Sequence, residues 1–83
     1  MQDNEIKRLI TDGIPGCSVD VGGDGTHFEA VIISDAFTGK SMVQQHQMVY
    51  QALGEKMGTE IHALSIQTYT PAEWEKKKDL RVI

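Results

Sequence analysis

A glycine-rich segment at residues 22–25 (GGDG) separates two stretches that have the pattern of β-strands. The first stretch, residues 17–21, alternates apolar and polar side chains, as half-buried strands do. The second stretch, residues 27–34, is rich in β-branched residues, which favour strands. Because the segment between them is typical of a tight turn, we predict an antiparallel hairpin, β1 followed by β2.

The rest of the chain has helical patterns around one further strand. Apolar residues at helical spacing predict a first helix over residues 4–12, ended by Gly13. Ser41 and Gln44 form a capping-box pattern that opens a longer second helix. Its predicted apolar stripe consists of Met42, Val49, Tyr50, Leu53 and Met57, with His46 at a stripe position.

The end of the second helix and the elements after it are also marked in the sequence. Gly54 is expected to fray or split the helix, and Gly58 to supply a left-handed cap. Residues 61–69 predict a third strand. Residues 70–73 (TPAE) are a strong start for a short third helix that ends in residues 76–78 (KKK). We expect the aromatic residues near this start, Tyr69 and Trp74, to hold that helix to the sheet.

The predicted element order is α-β-β-α-β-α in a single domain over residues 1–83. This order indicates an α+β fold with a three-stranded mixed sheet covered by helices. A helix that connects two strands usually makes a right-handed crossover between parallel neighbours. The starts of β2 and β3, which carry His27 and His62, should therefore lie at the same end of the sheet.

Composition restricts the function classes. The chain has 83 residues, a net charge of −4 and one cysteine. A single cysteine excludes an internal disulfide or a cysteine-only metal site within the chain. The acidic balance disfavours strong nonspecific binding to nucleic acid, and no apolar stretch approaches a membrane span. We expect a cytoplasmic protein that does not bind membranes. We also expect that it is not an enzyme, because no pattern of catalytic residues is evident.

His27 and His62 are the candidate metal ligands. Two imidazoles are too few for a closed structural zinc site, so a bound metal would take its other ligands from another molecule or from water. Strand alternation places His27 with Glu29 on the solvent side and His62 with Leu64 on the core side, so the rings converge only if the strand starts are irregular. The alternative is that His27 is a turn residue and His62 a strand-start residue.

Three further groups have competing interpretations. Cys17 is expected near the far end of β2 from His27, as a buried small hydrophobe rather than a reactive thiol. His46 is either a packing residue or a surface contact. The lysines Lys76, Lys77 and Lys78 either contact nucleic acid or complement the dipole of the last helix and keep it solvated.

Four spaced motifs together resemble the BolA family. They are His27-Phe28 after a turn, residues 37–41 (FTGKS) before the second helix, residues 61–64 (IHAL) and residues 70–74 (TPAEW). The resemblance covers about residues 4 to 78, and it is greatest to the short bacterial, IbaG-like branch. It implies a fold similar to class II KH domains, although the Gly-x-x-Gly loop with which KH domains clamp nucleic acid is absent.

The resemblance also implies a partner and a cofactor. Members of this family form heterodimers with monothiol glutaredoxins that bridge a 2Fe-2S cluster, so His62 and His27 would be ligands and glutaredoxin with glutathione would supply thiolates. The cluster would be shared, and no cofactor would be needed for folding. This implies an adaptor in iron homeostasis and stress response that alone is a monomer or weak homodimer.

A second role implied by the resemblance is transcription regulation through nucleic-acid binding. The contacts would be His46 and the three lysines. Many family members have Arg-His-Arg on the second helix, whereas this chain has residues 45–47 as Gln-His-Gln. This departure, together with the net acidic charge, ranks nucleic-acid binding second.

Overall fold

A computed structural model describes residues 3–23, 27–56 and 63–82, with side chains described up to Lys77 in the last helix. The elements are α1 (Asp3–Gly13), β1 (Ser18–Gly23), β2 (His27–Ile33), a 3-10 turn (Asp35–Phe37), α2 (Met42–Leu53), a second 3-10 turn (Gly54–Lys56), β3 (Ala63–Tyr69) and α3 (Pro71–Val82). The order confirms the predicted α+β arrangement. None of the helices in this part of the chain has the length and apolar content that crossing a membrane requires.

The three strands form one mixed sheet in the order β1-β2-β3. β1 pairs with β2 in antiparallel fashion, with Ser18 opposite Ile33 and Gly23 opposite Phe28. β2 pairs with β3 in parallel, from His27 opposite Ala63 to Ile33 opposite Tyr69. Both the hairpin and the parallel crossover are therefore confirmed, and β2 is the central strand.

Strand alternation gives the sheet two unlike faces. The inner face carries Val19, Val21, Phe28, Ala30, Ile32, Leu64, Ile66 and Thr68, and it packs against α1 and α2. The outer face carries Ser18, Asp20, His27, Glu29, Val31, Ile33, Ser65, Gln67 and Tyr69. The start of α3 approaches the outer face, where Trp74 lines a groove with Val31 and Ile33.

The core lies between the inner face and the first two helices. Ile6 and Ile10 from α1, Val49 and Leu53 from α2, and Phe37 from the first 3-10 turn are almost completely buried. Every buried side-chain nitrogen or oxygen among the described residues has a hydrogen-bond partner. This combination of a dry apolar layer and satisfied polar groups is what stabilises a small domain.

The predicted stripe of α2 is partly wrong. Val49 and Leu53 are buried, but Met42 is 68% exposed and Tyr50 is 42% exposed. The buried line on α2 runs instead from Gln45 to Val49 and Leu53 at four-residue spacing. Gln45 can face inward because its amide is fully bonded, and an apolar pattern cannot predict an inward-facing glutamine. Met57 lies outside the described residues.

The Gln45 side chain connects α2 to the sheet and to the segment before the helix. Its Nε2 donates to the backbone oxygens of Phe37 at 3.2 Å and Lys40 at 3.0 Å. Its Oε1 accepts from the Thr68 hydroxyl at 2.6 Å. The amide thus uses both of its ends, which removes the cost of burying it.

Both predicted capping boxes are present. The Ser41 hydroxyl accepts from the Gln44 backbone, while the Gln44 side chain accepts from the Ser41 backbone. Thr70 and Glu73 make the same reciprocal pair at α3. These bonds satisfy backbone N–H groups that a helix start leaves free.

The expected interruption of the second helix at Gly54 is confirmed, whereas the end of α3 differs from prediction. α2 ends at Leu53, because Gly54 has a positive φ of 60° that an L-residue rarely adopts. Gly58, the predicted cap, lies outside the described residues. α3 does not end at the lysines but continues to Val82. Lysine, leucine and arginine are good helix formers, and no glycine or proline follows the lysines to end the helix.

Candidate metal-ligand site at the start of the parallel strands

His27 is the first residue of β2 and is exposed on the outer face. Its partner in the parallel register is Ala63, the first residue of β3. In the sequence Ala63 directly follows His62, which lies outside the described residues. The structure therefore pairs one candidate ligand with the sequence neighbour of the other. The two histidines were predicted to lie on opposite faces of the sheet, His27 with Glu29 and His62 with Leu64. For these two companion residues the prediction is confirmed, since Glu29 is on the outer face and Leu64 on the inner face.

The end of β1 packs closely against His27. Gly23 is opposite Phe28, and a Cβ placed on Gly23 would collide with the backbone oxygen of His27 and the Cα of Phe28. Only glycine allows this approach of the two backbones. The last residue of β1 thus fixes the backbone from which the His27 side chain projects. The turn at 24–26 lies outside the described residues.

The described residues supply only part of the set of donor atoms that a metal site requires. An imidazole is a borderline ligand that suits iron as well as zinc. No group of three or more His, Cys, Asp or Glu side chains within residues 3–23, 27–56 and 63–77 is placed to hold a metal ion. His27 therefore does not belong to a closed metal site built from the described residues alone.

Cys17 lies at the opposite end of the hairpin from His27. It directly precedes Ser18, which pairs with Ile33 at the far end of β2. Its thiol is half-buried and contacts the backbone oxygen of Ile10 at 3.8 Å. Burial raises the pKa of the Cys17 thiol, and hydrogen bonds oppose the rise. The prediction that Cys17 lies at the far end of β2 from His27 is confirmed, whereas its side chain is half-buried and not fully buried as predicted.

The candidate nucleic-acid contacts flank β3. His46 is half-buried in a shallow groove that it shares with Met42, Ile66 and Tyr69. Lys76 is exposed, and the side chain of Lys78 lies outside the described residues.

Lys77 belongs to a hydrogen-bonded network that sequence reasoning missed. Its Nζ donates to the Tyr69 hydroxyl at 2.6 Å and lies 4.8 Å from the centre of the Tyr69 ring. The Tyr69 hydroxyl in turn donates to Gln67 Oε1 at 2.7 Å. The signal in the sequence was the alternation of β3, which places residues 67 and 69 on one face. The prediction that Tyr69 and Trp74 hold the last helix to the sheet is supported by the contact between their rings, whose centroids are 5.4 Å apart.

Comparison with known proteins gives one consistent family. The family model described as BolA-like protein matches residues 12–73. Acid stress protein IbaG of Escherichia coli K12 is 40% identical over 81 residues, 96% of each chain. The DNA-binding transcriptional regulator BolA of the same organism is 44% identical over 57 residues, which are 69% of this chain and 54% of that protein.

Solved structures agree with the sequence comparison. A BolA homologue from Coxiella burnetii superposes with a TM-score of 0.82 at 43% identity, covering 90% of this chain and 97% of the other. The BolA domain of SufE1 from Arabidopsis thaliana superposes with a TM-score of 0.74 at 33% identity, covering 86% and 93%. The three helices and mixed three-stranded sheet are thus the fold of these proteins. The chain belongs to the BolA-like family, in its IbaG-like branch.

Proposed function

We propose that this chain is a non-enzymatic adaptor in iron–sulfur handling that forms a heterocomplex with a monothiol glutaredoxin. In this complex His27 and His62 ligate one iron of a shared 2Fe-2S cluster, and glutaredoxin with glutathione supplies thiolates. The proposal rests on the family resemblance and on one observation, the parallel register that pairs His27 with Ala63, the sequence neighbour of His62.

The chemistry of the donors supports a shared cluster. Two imidazoles on one iron and two thiolates on the other complete the coordination, as in Rieske centres. When bound, the cluster supplies electron-accepting chemistry and iron and sulfide for transfer. The chain contributes neutral imidazoles and the backbone that holds them. His27 is exposed at an end of the sheet, so its ring can meet a ligand held by another protein.

The test is to purify the chain together with a monothiol glutaredoxin and iron, and to record visible absorption and circular dichroism. We compare His62→Ala, His27→Ala and Cys17→Ala in the same mixture. His62→Ala should change the spectrum most, because only water or a nearby chain could take the place of this ligand on the iron, whereas His27, beside the turn, is partly replaceable. His27→Ala should change it less, and Cys17→Ala should leave it unchanged, since that thiol lies at the opposite end of the hairpin.

Two results would contradict the proposal. The first is a parent spectrum in His62→Ala together with a lowered melting temperature, which would make His62 a structural residue. The second is loss of the spectrum in Cys17→Ala with retention in His62→Ala.

Nucleic-acid binding of the transcription-regulator type is the second candidate function. One observation favours it: the groove around His46 and the Lys77 network both include Gln67 and Tyr69, so the two candidate contacts border the same part of β3. A relative named a DNA-binding transcriptional regulator belongs to the same family. Against it, Lys77 is already engaged by Tyr69, and glutamines flank His46.

A salt series with random single-stranded DNA separates the two functions. Contacts to phosphate release counterions, so affinity through the lysines must fall steeply as salt rises. Lys76→Gln and His46→Ala should then weaken binding at low salt. Absence of binding at low salt would eliminate this function and leave the adaptor proposal unaffected.

A further inference from the structure

A groove of about 450 Å³ lies on the outer face of the sheet, beside the start of α3. Its lining residues are Ser18, Val19, Asp20, Val31, Ile33 and Trp74. The register explains the lining, because Ser18 is paired with Ile33 and Asp20 with Val31 on adjacent strands. The volume lies within the range of small-ligand and side-chain pockets.

The lining combines three kinds of surface. Val31 and Ile33 supply an apolar floor, the half-buried Trp74 supplies an aromatic wall, and the exposed Asp20 supplies a carboxylate. An indole attracts cations through the negative face of its ring, more strongly than phenol or benzene does. A carboxylate accepts two parallel hydrogen bonds from a guanidinium. Apolar walls suit the aliphatic stem of a long cationic side chain.

No side chain in the described part of the chain already occupies the Asp20 carboxylate. Asp20 makes no ion pair or hydrogen bond with any residue in 3–23, 27–56 or 63–77. Lys77, the half-buried cation of α3, is held instead by the Tyr69 hydroxyl at 2.6 Å. The Trp74 ring is fixed by its tilted contact with Tyr69, 5.4 Å between centroids. The carboxylate is thus available to a cation from another molecule, and the aromatic wall is held in place by Tyr69.

We propose that this groove binds an arginine side chain of a protein partner. The guanidinium stacks on Trp74 and pairs with the Asp20 carboxylate, while its methylene stem lies on Val31 and Ile33. Arginine fits better than lysine because its planar group both stacks on an aromatic ring and bonds a carboxylate through two N–H groups. The chemistry is complementary in charge, since the described residues that line the groove include one carboxylate and no basic side chain.

The proposed site is separate from the candidate ligands. His27 and Val31 are four residues apart on β2, which is about 13 Å along a strand. Loss of binding in the groove therefore leaves the cluster proposal standing, and loss of the cluster leaves this one standing.

The experiment is a titration of the ¹⁵N-labelled full chain with N-acetylarginine amide, followed by the backbone amide signals of Val31 and Ile33 and the indole N–H of Trp74. We expect saturable shifts at these three positions. Asp20→Asn should weaken binding by about two- to fivefold, because it removes an ion pair that is partly screened by solvent. Asp20 is exposed, so this variant keeps the fold.

Matched controls make the result decisive. Asp12→Asn makes the same change of charge on α1, which packs against the inner face, and should bind as the parent does. N-acetylcitrulline amide, an uncharged analogue of the same shape, should not saturate. Equal binding by the citrulline and arginine compounds, unchanged binding in Asp20→Asn, or absence of saturation would overturn the proposal. Equal binding by N-acetyllysine amide would contradict the assignment to arginine.

Discussion

The two faces of the sheet share the same three strands and have different tasks. On β2, Phe28, Ala30 and Ile32 point inward and are at most 4% exposed. The residues between them point outward, and His27 and Glu29 are exposed while Val31 is half-buried. Two helices cover the inner face, whereas the outer face is contacted by α3, through Trp74 and Lys77 among its described side chains.

This difference shows where the chain can place chemistry without losing stability. Inner-face positions contribute burial free energy, and any polar group there needs a full set of partners, as Gln45 has. Outer-face positions contribute little to the core, so they can carry an exposed imidazole such as that of His27 or an exposed carboxylate such as that of Asp20. In a chain of 83 residues this division confines most of the core to one face and leaves polar and charged side chains exposed on the other.

The largest expected effect tests the difference between the two faces of the sheet by comparing two adjacent isoleucines of β2. Ile32 is completely buried on the inner face, and Ile33 is half-buried on the outer face. Ile32→Ala should lower the free energy of unfolding by about 2–5 kcal/mol, because it removes buried methylenes and leaves a cavity. Ile33→Ala should cost less than about 1.5 kcal/mol. Urea unfolding measures both, and equal losses would show that α3 closes the outer face as fully as α1 and α2 close the inner one.

A second test concerns the polar exception within the inner layer. Gln45→Ala removes the partner of the Thr68 hydroxyl and of the Lys40 backbone oxygen, whereas the Phe37 oxygen keeps its bond from the Lys40 backbone N–H. The expected loss is about 2–3 kcal/mol of unfolding free energy, since each unsatisfied buried group is costly. Gln47→Ala, an exposed site two residues away, should change stability by less than about 0.5 kcal/mol. Similar melting temperatures for the two variants would mean that water replaces the glutamine amide.

A third test moves to the edge of the outer face, where β1 approaches His27. A Cβ at Gly23 meets the backbone of His27 and Phe28, whereas one at Gly22 meets nothing within 4 Å. Gly23→Ala should therefore cost about 1–2 kcal/mol through overpacking, and Gly22→Ala less than about 0.5 kcal/mol. In the glutaredoxin mixture Gly23→Ala should also weaken the cluster signal, because the His27 backbone must shift. Preserved stability and signal in Gly23→Ala would show that the strand start adapts freely.

Most of the fold follows from local patterns in the sequence. Alternation in β1, β-branched residues in β2 and two capping boxes each act over a few residues, so the sequence alone predicts the elements they mark. The parallel pairing of β2 and β3 follows from the helix between them, because a helical crossover usually joins parallel neighbours. The errors were at Met42, Tyr50 and the end of α3, where tertiary packing and the absence of a stop residue decide the structure.

The site was less predictable because it depends on register. The sequence predicts that His27 and His62 begin neighbouring strands, but which residues lie opposite each other depends on the whole sheet. The outer groove was not predictable at all. It requires Asp20 from β1, Val31 from β2 and Trp74 from α3, which are distant in the sequence and share no motif. Trp74 was predicted only to hold the helix.

The smallest expected effect tests whether the inner layer shields the Cys17 thiol from solvent. Cys17 is half-buried at the end of that layer, where burial raises the pKa of its thiol above the usual value. A raised pKa keeps the native thiol protonated at a pH where the unfolded thiol has begun to ionise. Its contribution to stability is therefore complete below the unfolded pKa and is lost as pH rises through the native one.

The measurement is the rate of iodoacetamide reaction against pH, for the native chain and for the chain in urea. Because the thiolate is the nucleophile, the native profile should lie at higher pH than the profile in urea. The cysteine serves as its own control, since only folding differs between the two samples. Coincident profiles would place Cys17 with the solvent-facing residues of the hairpin, and a native profile at lower pH would reveal an activating group beside the thiol that burial does not explain.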